Sequence, residues 1–113
     1  MKTVKKTWGK EEWLVNDKTN NYCGKILTIK PNKATSMHFH SNKHETFYVL
    51  EGELELDIID TDTNERSVIY LEKGNTYVME RNTPHKLGAS GKKVKLVEFS
   101  TFHEDTDSYR VGL

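Results

Sequence analysis

The sequence predicts an all-β fold, either an antiparallel sandwich or a closed barrel. Three observations carry this. Leu54, Leu56 and Ile58 alternate with Glu53, Glu55 and Asp57, the period of a half-buried strand. Short apolar runs recur between clusters of turn-forming residues. No window holds a helical period of useful length.

Residues 1–21 carry Trp8 and Trp13, with Leu14 and Val15 following Trp13. This segment reads either as a strand covering an apolar sheet face or as a contact with a second subunit, because aromatic side chains bury a large area in both settings. The next strand runs over Tyr22 to Lys30, stopped by Pro31. An aromatic strand, Phe47 to Leu50, is closed by Gly52. The alternating run at Leu54 to Ile58 comes next, followed by Ser67 to Leu71, Thr76 to Met79, His85 to Leu87 and Val94 to Ser100. Turn chemistry at 60–65, 73–75, 80–84 and 89–92 separates them. Seven or more short strands at this spacing define one domain, with 22–100 as its barrel. Residues 101–113 form a polar tail. It either frays or brings Asp107, Tyr109 and Arg110 to the mouth of a pocket.

Size and charge narrow the function. A chain of 113 residues is one domain with one modest core. Lysine plus arginine balances aspartate plus glutamate at 17 each. There is therefore no basic excess for nucleic acid and no acidic tail. No segment reads as a signal peptide or approaches the ~20 apolar residues of a membrane helix. The single cysteine, Cys23, forms no internal disulfide, suits a reducing cytoplasm and reads as a buried small side chain.

The histidines carry the chemistry. Four of the five fall in two short segments, Ser36 to Glu45 and Asn82 to His85. Residues two apart on a strand share a face, so His38 and His40 project together with Phe39 opposite. A turn through Ser41, Asn42 and Lys43 returns either His44 or Glu45 beside them, and a strand starting at Pro84-His85 closes the group. Three imidazoles and a carboxylate suit a divalent transition metal: zinc, iron, manganese or nickel. Parity cannot choose between His44 and Glu45 across a turn. His103, isolated in sequence, reads as an ordinary surface or core histidine.

These segments resemble the cupin superfamily. Its first motif runs His-x-His, three or four residues, Glu, six residues, Gly. Here His38-Phe-His40 is followed after four residues by Glu45 and after six more by Gly52. Its second motif is matched by Gly74 and His85, with Glu80 and Asn82 at the usual Pro and Gly positions and Ala89 at the last Asn. Asn32 replaces the leading Gly of the first motif. Asparagine tolerates a left-handed backbone, so Asn32 and Asn82 can serve the same turns. The resemblance covers Cys23 to Ser100. It implies an antiparallel double-stranded β-helix (a jelly-roll barrel), the ligand set His38, His40, Glu45 and His85, and a homodimer. Glu45-Thr-Phe-Tyr-Val-Leu-Glu-Gly52, Val97 to Thr101 and Asp105 to Arg110 are further similar to the C-terminal cupin domain of type II mannose-6-phosphate isomerases. That likeness implies a metal-dependent aldose–ketose isomerase acting on a sugar or sugar phosphate. A cupin of the Fe(II) dioxygenase kind and a non-catalytic carbohydrate-binding module are the alternatives.

For isomerisation the acid–base candidates are Glu45, Glu98 and His44. Glu98 lies in the apolar strand Val94 to Phe99. Turned inward, it would gain a raised pKa; turned outward, it would be a surface carboxylate paired with a lysine, the expectation favoured here. Lys43, Lys86, Tyr48, Tyr109 and Arg110 are available to hold a phosphate or anomeric oxygen. Each alone reads as a solvated surface group. Arg110 is preferred because a guanidinium grips an oxyanion bidentately.

Overall fold

The computed structural model describes residues 1–112. Eleven strands form: β1 (Lys2–Lys6), β2 (Gly9–Asp17), β3 (Tyr22–Ile29), β4 (His38–Phe39), β5 (Glu45–Glu51), β6 (Leu54–Ile59), β7 (Arg66–Leu71), β8 (Thr76–Met79), β9 (His85–Ala89), β10 (Val94–Ser100) and β11 (Tyr109–Arg110). A single 3₁₀ turn, Asp105–Asp107, precedes β11. The strands pair antiparallel in two sheets, ordered β1-β2-β3-β10-β5-β8 and β11-β4-β9-β6-β7. This is the all-β jelly-roll architecture expected from the sequence.

Alternation sorts the side chains. The inward rows of the larger sheet read Ile29–Val94, Leu27–Leu96–Val49 and Lys25–Glu98–Phe47 across β3, β10 and β5. Leu54, Leu56, Leu87 and Ala89 face them from the other sheet and complete the apolar core. Val97 and Phe99 take the opposite parity, and Phe99 is 55% exposed. One end of the interior is therefore apolar, and toward the other end the same rows turn charged.

Two segments add detail to the sequence expectation. The N-terminal segment is a hairpin of two strands rather than one. Between Trp13 and Val15 its register shifts against β3, and Leu14 is left exposed. A bulge of this kind changes which face the following residues occupy. Both tryptophans pack within the chain: Trp8 lies against the core, and Trp13 meets the His103 ring edge-on at 5.0 Å. The C-terminal tail does not fray over 105–110, since Asp107 is buried and β11 pairs with β4.

The substituted motif positions behave as turn residues. Asn32 and Asn82 have φ of 60° and 61°, the left-handed region that asparagine tolerates. Gly52 is required where it stands. Its φ is 78°, and a Cβ there would lie 2.4 Å from the Lys93 carbonyl oxygen.

Strand parity gives a direct test. Leu96→Ala removes a fully buried side chain and is expected to cost about 2–5 kcal/mol. Phe99→Ala, three residues along the same strand but exposed, is expected to cost far less. Urea unfolding of the two variants measures both.

Candidate metal centre

His38 opens β4 and pairs in register with His85, which opens β9. His40 follows on the same face as His38, their rings 5.1 Å apart, while Phe39 points away and stacks on Tyr109. One nitrogen from each of His38, His40 and His85 lies within 4.8 Å of the others. Among the described residues this is the one such cluster of possible metal ligands.

Each ring is fixed by a backbone carbonyl. Nδ1 of His38 donates to Ser36 O at 2.8 Å, Nδ1 of His85 to Thr83 O at 2.8 Å, and Nδ1 of His40 to Asp107 O at 3.0 Å. A carbonyl oxygen only accepts, so each Nδ1 carries the proton and each neutral ring keeps its lone pair on Nε2. Burial holds His38 down to about 4 with help from neighbouring His85, and burial also lowers His40. Neutral rings are what a metal requires.

Glu45 completes the arrangement. Strand parity on β5 turns it inward with Phe47 and Val49, all buried. Its Oε2 lies 3.4 Å from His85 Nε2 and 3.8 Å from His40 Nε2, and it has no hydrogen-bond partner. Burial opposes its ionisation, but neighbouring positive charge, the Lys43 ammonium foremost, outweighs that and holds the carboxyl below its usual range. A buried carboxylate oxygen facing imidazole lone pairs has no donor to satisfy it, and a divalent cation resolves the mismatch. The donor set therefore fits a metal held by His38, His40 and His85 with Glu45. His44 takes the other parity and pairs with Glu80 at 3.0 Å on the surface.

Two side chains expected at the surface, Glu98 and Lys43, lie inside, and His103 packs beside them. Glu98 is inward and buried, because the parity that buries Val94 and Leu96 includes it. Lys43 is 3% exposed. Its ammonium lies 2.6 Å from Glu98 Oε2, 3.2 Å from Glu45 Oε1 and 3.0 Å from His103 Nδ1. Two carboxylates and one imidazole thus surround the ammonium, with His103 as its hydrogen-bond partner and the carboxylates as ion pairs. Desolvation opposes the charge, but the two carboxylates raise the Lys43 pKa. Burial raises Glu98, Lys43 draws it back, and Glu45 raises it further. His103 accepts from Lys43 and donates through Nε2 to Asp105 at 2.8 Å. Burial and the Lys43 charge hold it down to about 4.

Asp107 is the residue that sequence reasoning left without a role in the centre. Its carboxylate accepts the backbone N–H groups of Ser41, Asn42 and Lys43 at 3.0–3.1 Å, and its carbonyl fixes His40. It shapes the loop between two ligands. Tyr48 and Lys86 take the outward parity of their strands. Tyr109 is exposed against Phe39, and Arg110 sits beside His38 in the β11–β4 pair. The triad, Glu45, Glu98, Lys43, His103 and Arg110 line one cavity of about 540 Å³.

Residues 25–101 match the family model described as Cupin domain. The chain belongs to the cupin family. None of the curated proteins compared matches this cupin. Among solved structures it is similar to the capsular polysaccharide assembling protein CapF from Staphylococcus aureus, at 15% identity and TM-score 0.85, over 98% of this chain and 34% of CapF. It is similar to oxalate decarboxylase from Bacillus subtilis, at 14% identity and TM-score 0.84, over 97% of this chain and 30% of that one. KdgF from Halomonas sp. matches at 12% identity and TM-score 0.76, over 94% of this chain and 92% of KdgF. The cupin thus spans about a third of the first two proteins and nearly all of the third. At these identities the likeness is one of fold. Among the described residues, no helix is long and apolar enough to cross a membrane.

Two outcomes are expected. His38→Ala and His85→Ala lose most bound metal and keep the fold, while Asp107→Asn weakens metal affinity about 10–100-fold, the effect of loosening groups that orient ligands. Metal analysis and metal titration check both. In metal-free protein His38 and His103 protonate near 4, against 6.5 unfolded. The unfolded chain then binds more protons between these values, so their contribution to stability is full above 6.5 and lost as pH falls toward 4. The lowered Glu45 acts in the same direction, and the raised Glu98 opposes it. The urea midpoint of the metal-free protein should fall across that window.

Proposed function

We propose that this cupin is a divalent-metal-dependent enzyme that moves a proton between adjacent carbons of a sugar or sugar phosphate, an isomerase of the mannose-6-phosphate isomerase kind. The observation that supports this reading is Glu98: a buried carboxyl with a raised pKa, on the wall of the cavity that holds the metal ligands. The cavity volume, about 540 Å³, lies within the range of small-molecule sites and suits one monosaccharide. A zinc, manganese, iron or nickel ion bound by the ligand set would polarise a substrate oxygen.

The protein's own residues supply the rest. Glu98 acts as the acid–base group, because burial brings its affinity for protons toward the working pH. Lys43 holds Glu98 and Glu45 apart and in place through contacts to both. Glu45 is committed to the cation and Lys43, which leaves Glu98 as the carboxyl that takes and returns the proton. Arg110, exposed on the cavity wall, offers a guanidinium fork to a substrate oxygen. A homodimer in a reducing cytoplasm belongs to the same proposal.

Protein loaded in turn with Mn, Zn, Fe or Ni is screened by NMR for aldose–ketose interconversion across sugars and sugar phosphates. Glu98→Gln is expected to lower the rate by about 10²–10⁴-fold, the usual worth of a general acid–base group, with metal content unchanged. An unchanged rate removes Glu98 from the mechanism. Silence across the panel overturns the isomerase reading. Oxygen uptake by the Fe(II) form with thiols or catechols would identify a dioxygenase instead, and sugar binding without turnover a binding module.

A further inference from the structure

The cavity holds a second charged group that the metal chemistry does not use. Lys25 lies on the inward face of β3, in one row with Glu98 and Phe47. It is 1% exposed and lines the cavity. Lys43, the other buried lysine, has three polar partners within 3.2 Å, two of them carboxylates. Lys25 does not. Its ammonium has one hydrogen-bond acceptor, Glu11 Oε1 at 3.3 Å, and lies over the Trp13 ring at 4.1 Å. That same Glu11 oxygen already accepts the Trp13 indole N–H at 2.9 Å. A buried ammonium with donor capacity to spare is costly unless something accepts from it.

The surroundings indicate what accepts. Lys5, Lys6 and Arg110 line the same cavity, and among the described residues none has a carboxylate within 4.0 Å. Apart from the Lys43 cluster, the carboxylates on the wall are Glu11, shared between Trp13 and Lys25, and Asp105, engaged by His103. The wall therefore carries more positive than negative charge before any metal is added. Trp8 and Leu27 supply an apolar surface beside it.

We propose that the cavity recognises a monosaccharide-sized ligand by a negatively charged substituent, a phosphate or a carboxylate, held by Lys25 and Lys6 with Arg110. This rests on the reading that the cavity takes a sugar, and it adds that the N-terminal hairpin and β3 select for charge. Neutral sugars offer Lys25 hydroxyl oxygens but no countercharge, so they forgo the stronger charge-assisted hydrogen bond. Lys25 and Lys6 are specificity residues that do not touch the metal ligands.

Binding is measured by calorimetry on the full Zn(II)-loaded chain with methyl α-D-glucoside, its uronate and its phosphate monoester. None of these can open to a carbonyl, so isomerisation plays no part and the isomerase reading can fail independently. At least one anion is expected to bind about tenfold or more tighter than the neutral glycoside, the worth of one charge-assisted hydrogen bond. The two anionic arms distinguish carboxylate from phosphate. Lys25→Met and Lys6→Gln should lose most of that preference without losing zinc. If Lys25→Met does not fold, the pair Lys6→Gln with Arg110→Gln decides. Equal affinity for all three ligands, no binding of any, or a preference that survives in the folded variants overturns the proposal.

Discussion

A side chain on a β-strand has two directions open to it, and this barrel is organised by that constraint. On β3, β5 and β10 the inward set includes Leu27 and Ile29, Phe47 and Val49, and Val94 and Leu96, the apolar core. Continued toward the ligands, the same parity delivers Lys25, Glu45 and Glu98 into the interior. Charged residues are inside because the strands that carry the core do not change face before they end. The rule that stabilises the fold is also the rule that builds the site, and a slip of one residue in β5 or β10 would destroy both.

The charged end has to be balanced, since buried charges are tolerated only when paired and hydrogen-bonded. Lys43 performs most of that balancing by ion-pairing with Glu45 Oε1 and Glu98 Oε2 and hydrogen-bonding to His103 at once. It leaves Glu45 Oε2 facing imidazole lone pairs. That residual electron-rich corner favours a cation, and a cation bound only by the folded state would in turn stabilise the fold.

Much of this was legible in the chain. The period of two gave the class of fold, and His-x-His gave a shared face because parity holds along a continuous strand. Placing Glu45 rather than His44 inside needed the family motif, because the turn at 41–43 interrupts the parity count. Glu98 shows the opposite case: Val94 and Leu96 already marked its face, but a carboxylate among apolar residues reads more readily as an outward one. Lys43 was misjudged because it is tolerable inside only through partners such as Glu98 and His103, the latter 60 positions along the chain and invisible to a local pattern. Asp107 was hidden for the same reason, its contacts reaching back to residues 40–43.

That last link ties the centre to a stretch remote from it in the chain. The carbonyl that sets the His40 ring belongs to a residue 67 positions further along, and β11 pairs with β4 only once that stretch exists. The ring orientation at His40 is thereby made contingent on how the C-terminal stretch docks, so a change far from the ligands in sequence can still reshape the centre.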